Sequence, residues 1–137
     1  ELSLAGDYEF FERPEWKAIR DVYGLRFRRE RTMQPDFMYQ AAKAGDVDVV
    51  SAYTSDGRIA LYGLTVLDDP KRAIPPYDAI LLLSSNRAND QQLIAALRPL
   101  IGAIPVALMR EANLRASNGD PSPADVANWL WQKIDNK

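Results

Sequence analysis

The sequence contains no cysteine and no histidine. Without cysteine, the chain has no disulfide, no thiol nucleophile and no thiolate ligand for zinc. Without histidine, imidazole acid–base catalysis and the serine–histidine type of nucleophile activation are excluded as well. We therefore predict that the chain is not an enzyme and that it holds no metal ion or cofactor.

Several functional patterns are also missing. No apolar run approaches the roughly 18 residues that a membrane-spanning helix needs. Neither a glycine-rich phosphate loop nor a Gly-x-Ser-x-Gly nucleophile turn is present. The first residues match neither a signal peptide nor a methionine start, so we expect a fragment or a processed product whose export signal or membrane anchor lies outside the chain.

The charge is nearly balanced, with 17 Lys and Arg against 19 Asp and Glu and a formal net charge of −2. This balance gives no electrostatic reason to expect nucleic acid as a partner. A basic run at Arg26, Arg28, Arg29 and Arg31 is interpreted as a solvated strand and turn. With 137 residues, 47% of them hydrophobic, the chain can bury the core of one domain.

Strand and helix patterns alternate in the first part of the chain. Each helical pattern begins at a proline and ends at a glycine, which suits the first turn and the C-terminal cap respectively. The segments are a strand at 2–5, a helix from Pro14 to Gly24, an extended basic segment at 25–31, a helix from Pro35 to Gly45 and a strand at 47–52. This rhythm predicts an α/β sheet with parallel strands.

The second part of the chain predicts turns, one more strand and then helices. Turns are expected at 54–58 and 68–72, a crossing strand or hinge at Pro75-Pro76, a strand buried on both faces at 79–83, and helices at 91–100, at 106–116 and from Pro123 with Ser122 as its N-cap. No internal repeat or low-complexity segment is found.

Two tyrosines lie in short, unusual contexts. Tyr53 follows the predicted third strand and begins the turn Tyr53-Thr54-Ser55-Asp56-Gly57, at the carboxyl end of a strand where open α/β sheets bind ligands. Tyr77 follows two prolines that make its segment rigid. Aromatic faces attract quaternary ammonium groups by cation–π interaction. Tyrosines used only for packing would give the same patterns, so both interpretations stay open.

Arg13 immediately precedes the first predicted helix. An anion at this position would receive both the guanidinium fork and the unpaired N–H groups of the helix N-terminus. Together with the two tyrosines, Arg13 would bind the two ends of one small betaine, its ammonium and its carboxylate. A surface arginine paired with Glu12 or Glu15 is the alternative.

Three aspartates could suggest a carboxylate site for a metal ion or for hydrolysis. Asp56, Asp68 and Asp69 all lie in turns beside Gly57 or Pro70, where aspartate is favoured for local hydrogen bonding. We therefore interpret them as turn residues.

Several motifs, taken together, resemble one known family. In chain order they are Glu9-Phe10-Phe11-Glu12-Arg13, Met33, Ala44-Gly45-Asp46-Val47-Asp48-Val49, Tyr53-Thr54-Ser55-Asp56-Gly57-Arg58-Ile59, Leu67-Asp68-Asp69, Pro75-Pro76-Tyr77, Met109, Asn113 and Val126-Ala127. The chain resembles, over nearly its whole length, the substrate-binding proteins of osmoprotectant ABC transporters, which bind glycine betaine, choline, carnitine and related compounds. The tyrosine turn and the double proline are the specific motifs.

The resemblance implies the two-lobed fold of type II periplasmic binding proteins, of which this chain is a fragment. Residues 1–75 would form part of the distal ligand-binding lobe, and residues 76–137 a hinge strand and C-terminal helices of the proximal lobe. The family's pattern assigns Arg13 to the ligand carboxylate and Tyr53 and Tyr77 to two walls of an aromatic cage, with Thr54 and Asp56 as further candidates.

The resemblance also implies partners and a location. The ligand would be delivered to an ABC permease for uptake, and the protein would be periplasmic or extracytoplasmic, with any membrane anchor or permease fusion outside this chain. The alternative is the effector-sensing domain of a regulatory protein with the same fold, although no DNA-binding segment is present in the sequence.

Two departures from the family pattern affect these expectations. In the family, the remaining walls of the cage come from the first half of the protein, which would precede Glu1 here, so we expect pairing with that half or a domain-swapped homodimer through an unpaired sheet edge. Pro14-Glu15-Trp16 replaces the Asp-Gly often found after the arginine. Trp16 near the site would affect how well larger betaines fit, and the preferred betaine stays open.

Overall fold

A computed structural model describes residues 2–117 and 121–135 of the chain. Its three strands are β1 Ser3–Gly6, β2 Arg29–Thr32 and β3 Val49–Val50. Its α-helices are α1 Pro14–Tyr23, α2 Pro35–Ala44, α3 Gly57–Leu61, α4 Gln91–Leu97, α5 Val106–Ser117 and α6 Pro123–Asp135. Short 3-10 turns lie at Phe10–Glu12, Ser85–Arg87 and Arg98–Leu100.

Helices α1 and α2 begin and end where the sequence predicts. Each has proline in its first turn, and each ends at a glycine in the left-handed region, Gly24 at φ 65° and Gly45 at φ 79°. Only glycine adopts these angles at little cost, which explains why both helices end there. The predicted helices at 91–100, at 106–116 and from Pro123 are also present, and Ser122 and Asp125 cap the last one reciprocally.

The three strands form one parallel sheet in the order β2-β1-β3, which confirms the predicted α/β sheet. In its register, Leu4 of the central strand lies beside Glu30 on one side and Val49 on the other. The Ser3 amide and hydroxyl both donate to Asp48 Oδ2 at 2.7 Å and fix the start of β1 against the segment entering β3.

The core lies on both faces of the central strand. On one face, Ala5 packs with Met38, Ala41 and Val47. An aromatic cluster surrounds Trp16, whose ring centroid lies 5.5 Å from that of Phe10, 5.8 Å from Phe11 and 6.0 Å from Phe27. The sequence had suggested that Trp16 affects how well larger betaines fit. Trp16 is only 4% exposed, so it is a packing residue instead.

Helix α5 packs closely against α3. A Cβ at Gly57 would lie 2.5 Å from both the backbone nitrogen and Cα of Leu114, so only glycine allows the two helices to approach this closely. This contact joins residues 106–117 to the part of the chain before residue 75. The predicted boundary between the two lobes, between residues 75 and 76, stays a prediction.

The predicted buried strand at 79–83 is wrong. The segment has no regular structure, and Ile80, Leu81 and Leu82 are 76%, 54% and 85% exposed. The physical reason is that an extended apolar segment becomes a strand only when a neighbouring strand pairs with it, and no described residue does so. The turn expected at 54–58 is shorter than predicted, because helix α3 begins at Gly57.

Within residues 2–117 and 121–135, no helix has the length and apolar character needed to cross a membrane.

Replacing Gly57 with alanine tests the contact between α3 and α5. The added methyl group meets backbone atoms of Leu114, which cannot rotate away. We expect a loss of about 1–3 kcal/mol in the free energy of unfolding, as is typical of overpacking, measured by urea denaturation with circular dichroism. Ala60→Ser, which adds one heavy atom at an exposed position of the same helix, is the control and should change stability by less than about 0.5 kcal/mol. Equal stability of both variants would contradict the close contact.

Candidate functional site

Arg13 and Tyr53 come together because they follow adjacent parallel strands. The chain leaves β1 at Gly6, forms a 3-10 turn and reaches Arg13 directly before α1. Beyond β3, the Ser51 amide still donates to the Ala5 carbonyl at 2.9 Å, and Tyr53 lies two residues further on. The carboxyl ends of paired parallel strands meet at one edge of the sheet, where α/β proteins bind their ligands.

Tyr53 and Tyr77 form a pair of rings. Their centroids are 6.0 Å apart and their planes are inclined at 38°. The two side chains are 57% and 63% exposed, so neither is a buried packing residue. A cation is attracted to an aromatic face from within about 6 Å of the ring centroid. With the centroids this close, one cation can lie within that distance of both rings.

The Arg13 guanidinium has two described neighbours. Its Nη2 donates to Glu9 Oε2 at 2.7 Å. The Glu9 carboxylate, and after it the Tyr53 side chain, raise the pKa of Arg13 above its usual value. The three predicted site residues therefore form one chain of contacts, from Arg13 to Tyr53 and from Tyr53 to Tyr77.

An anchor on helix α1 holds the segment that leads to Tyr77. Asp69 accepts hydrogen bonds from the Tyr23 hydroxyl, from the Ala73 amide at 3.0 Å and from the Ile74 amide at 2.8 Å. The Lys71 amide donates to the Tyr23 hydroxyl at 2.8 Å. Tyr23 is the last residue of α1, and Arg13 directly precedes the first. Residues 69–77 therefore run from the C-terminal end of this helix toward the site at its N-terminal end.

Asp69 is a turn residue, as its sequence context predicts. The amide of Ile74 is the largest influence lowering the pKa of Asp69, and the Tyr23 hydroxyl and the Ala73 amide act in the same direction. Its carboxylate thus serves to hold residues 73 and 74, three residues before Tyr77.

Helix α5 holds the turn that carries Tyr53. Arg110 donates to the Thr54 carbonyl from Nε at 2.9 Å and from Nη2 at 2.6 Å. Asn113, three residues further along the helix, donates to the Ser55 carbonyl at 2.9 Å. The contacts to Thr54 are therefore made by its backbone, which positions its neighbour Tyr53.

Asp56 is occupied by contacts within the protein. Its carboxylate caps α3 through the Arg58 amide at 2.9 Å and binds the Arg58 guanidinium at 2.9 and 2.7 Å. Burial alone would raise the pKa of Asp56, but the hydrogen bonds from Arg58 outweigh it and the pKa is lowered. The Arg58 guanidinium lies 4.2 Å from the ring centroid of buried Tyr39. These contacts support the interpretation of Asp56 as a turn residue.

A groove of about 610 Å³ lies beside this turn. Tyr53 is on its rim, and its walls come mainly from α2, α3 and α5, while neither Arg13 nor Tyr77 lines it. We place the candidate site at the tyrosine pair, because an aromatic pair next to an arginine offers contacts for both ends of a betaine. Within the described ranges no three side chains of the metal-binding types cluster.

Sequence reasoning missed the residues that hold the site in place. Glu9 lies four positions before Arg13, a spacing that favours an ion pair, but Glu12 and Glu15 were the partners considered. Arg110 and Asn113 are three positions apart on one helix face, which marks them as acting together but does not identify the carbonyls of residues 54 and 55 as their targets.

The chain was compared with known protein families, curated proteins and solved structures. Residues 1–133 match the OpuAC family, described as the substrate-binding domain of ABC-type glycine betaine transport systems. The carnitine transport binding protein OpuCC of Listeria monocytogenes is 32% identical over 136 residues, covering 97% of this chain and 44% of the relative. A glycine-betaine-binding protein of Pseudomonas aeruginosa is 32% identical over 128 residues, covering 90% of this chain and 41% of the relative.

One crystal structure, described as a glycine betaine/carnitine/choline ABC transporter, superimposes with a TM-score of 0.80 at 31% identity and covers 97% of this chain and 50% of that chain. The chain thus spans about half the length of the proteins it matches. The predicted fold is confirmed, because the described strands and helices superimpose on part of a two-lobed substrate-binding protein.

The Asp69 anchor predicts a dependence of stability on pH. The folded-state pKa of Asp69 is lower than its ordinary value of 3.8, so its ionised form stabilises the fold above that pH and the contribution is lost as the pH falls through the folded-state pKa. Asp69→Asn should therefore lower the free energy of unfolding at neutral pH and have a much smaller effect at a pH below the folded-state pKa of Asp69, where the carboxyl group is protonated in both the folded and the unfolded protein. Urea denaturation at both pH values measures the difference.

Asp68→Asn is the matched control for this experiment, because it removes the same charge from the exposed neighbouring residue. We expect little change for this variant at either pH. A loss of stability for Asp69→Asn that is the same at both pH values would show that the carboxylate charge is not what holds the segment.

Proposed function

The chain belongs to the family of substrate-binding domains of ABC-type glycine betaine transport systems, and we propose that it binds a quaternary-ammonium solute between Tyr53, Tyr77 and Arg13. The ligand class is that of glycine betaine, carnitine and choline. Binding, rather than catalysis, is the activity that this arrangement of side chains supports.

The pairing of Tyr53 with Tyr77 is the single observation that carries the proposal. Two exposed aromatic rings lie with their centroids 6.0 Å apart, so one ammonium group can lie within about 6 Å of both. The nitrogen of a quaternary trimethylammonium group has no N–H to donate, and the negative faces of aromatic rings are its usual partners in proteins.

Arg13 supports the second part of the proposal, the recognition of a carboxylate. Its guanidinium lies beside Tyr53, so a ligand with its ammonium at the tyrosine pair places a carboxylate two or three bonds away within reach of the arginine. A guanidinium matches a carboxylate with two parallel hydrogen bonds. Choline has no carboxylate and would use only the aromatic part of the site.

Delivery of the ligand to an ABC permease, and a periplasmic or extracytoplasmic location, are further parts of the proposal. They are supported by the family to which the chain belongs. We also propose that residues 1–75 contribute to the ligand-binding lobe and that residues 76–137 lead into the second lobe of a two-lobed binding protein.

Association with the other half of such a protein, or with a second copy of the chain, remains a prediction. It is supported by Ile80, Leu81 and Leu82, three consecutive apolar side chains that are each more than half exposed. Such a run is unfavourable in water and is typical of a surface that another segment covers.

Isothermal titration calorimetry on the protein as the cell makes it tests the proposed ligand class. The ligands are glycine betaine, carnitine and choline, and the controls are glycine, which lacks the methyl groups, and 3,3-dimethyl-1-butanol, the uncharged carbon analogue of choline. We expect binding of the methylated ammonium compounds and no heat from the two controls. Binding of glycine without binding of any methylated compound would contradict the proposal, as would equal binding of choline and its uncharged analogue.

A further inference from the structure

Glu9 already occupies the arginine that the proposed site needs. Its Oε2 accepts a hydrogen bond from Arg13 Nη2 at 2.7 Å, and the Glu9 side chain is otherwise in water, with 77% of its surface exposed. Arg13 is 34% exposed. The carboxylate of Glu9 thus occupies Nη2, one of the nitrogen atoms that a ligand carboxylate would use.

The backbone holds the two residues in this relation. The Glu9 amide donates to Asp7 Oδ1 at 3.0 Å, and the Glu12 amide donates to the Glu9 carbonyl at 3.1 Å. The Arg13 amide in turn donates to the Phe10 carbonyl at 3.2 Å. The 3-10 turn Phe10–Glu12 therefore fixes the two side chains one turn apart, so the ion pair forms without help from any other element.

From this contact we infer that Glu9 is a specificity-determining residue, an internal carboxylate that competes with the ligand carboxylate for Arg13. The inference rests on the proposed function. A ligand whose carboxylate binds Arg13 through Nη2 must displace Glu9, whereas choline-like cations leave the ion pair intact. Glu9 therefore shifts the preference of the site away from betaines and toward cations without a carboxylate.

The strength of the ion pair suits this role. Exposed pairs of this kind contribute little, so a ligand carboxylate can replace Glu9 at the cost of at most a few-fold in affinity. A guanidinium has five N–H donors, and in the part of the chain that the structure describes Glu9 accepts a hydrogen bond from only one nitrogen of Arg13, Nη2. A ligand that offers two carboxylate oxygens can bind the guanidinium with two parallel bonds and so outcompete the single contact to Glu9.

A choline-like ligand should respond differently. With such a ligand Glu9 stays on Arg13, and its negative charge either attracts the ammonium or has no effect. Removal of the Glu9 charge therefore cannot improve choline binding, although it removes the competitor for a betaine.

Glu9→Gln is the test, because glutamine keeps the length of the side chain and the backbone amide while it removes the charge. Calorimetry should show glycine betaine binding up to about fivefold tighter than in the unchanged protein, with choline unchanged or weaker. Glu12→Gln is the matched control, since Glu12 is an exposed acid in the same turn that makes no described contact with Arg13. It should leave both affinities unchanged.

A double-mutant cycle separates competition for Arg13 from a general effect of charge. In an Arg13→Gln background, Glu9→Gln should no longer tighten glycine betaine, because nothing remains to compete for. If Glu9→Gln does not fold, Glu9→Asp provides a second test, because its side chain is shorter by one methylene and should weaken the contact with Arg13 Nη2.

The inference is overturned if betaine affinity does not rise in Glu9→Gln, if betaine and choline affinities change by the same factor, or if the gain persists without Arg13. Failure of the proposed function has a different signature, which is that the unchanged protein binds none of the methylated ammonium compounds.

Discussion

The candidate site depends on the parallel pairing of β1 with β3. Because both strands run in the same direction, their carboxyl ends lie at the same edge of the sheet, and the segments that follow them emerge side by side. One segment ends at Arg13 and the other at Tyr53, which are 40 positions apart in the sequence. A change of register or direction in this pair would separate the two side chains. The Ser3–Asp48 hydrogen bonds and the buried Val47 hold the register at the opposite end of the strands.

The rest of the site is positioned by contacts made away from it. Helix α5 binds the carbonyls of residues 54 and 55, and this is possible only because Gly57 lets α3 and α5 approach each other closely. Asp69 and Tyr23 fix the segment that leads to Tyr77 at the far end of α1. The exposed rings themselves make few contacts, so their placement comes from hydrogen bonds to backbone groups on either side of them. More than half of the surface of each tyrosine stays exposed in this arrangement.

Local sequence signals predicted much of the fold. Proline at the start and glycine at the end fixed the limits of α1 and α2, because these residues have backbone restrictions that do not depend on the rest of the chain. The position of Tyr53 after a strand followed from the same kind of local reasoning. The prediction of a strand at 79–83 was wrong because an apolar run indicates only that a segment is favoured to be buried. It does not indicate which neighbouring segment would cover it.

The candidate residues Arg13, Tyr53 and Tyr77 were found from the sequence, but their mutual geometry was not. Contacts such as Arg110 with Thr54, or Tyr23 with Asp69, join residues far apart in the chain and leave no periodic signal. Asp56 was a candidate because it lies in the tyrosine turn, and its place in the structure is explained by Arg58, whose guanidinium engages both of its carboxylate oxygens. The packing role of Trp16 could not be predicted from the sequence pattern either, since a tryptophan that lines a site and one that is buried beneath it give the same pattern.

The measurement that tests the central claim most directly is the affinity of Tyr77→Leu for glycine betaine, compared with that of Tyr8→Leu. Leucine keeps an apolar side chain but removes the aromatic face, and Tyr8, which is 66% exposed, makes no described ring contact. If Tyr53 and Tyr77 together bind the ammonium, Tyr77→Leu weakens binding by roughly tenfold and Tyr8→Leu leaves it unchanged. Unchanged affinity in Tyr77→Leu, with the protein still folded, would contradict the assignment of the tyrosine pair as the ligand site.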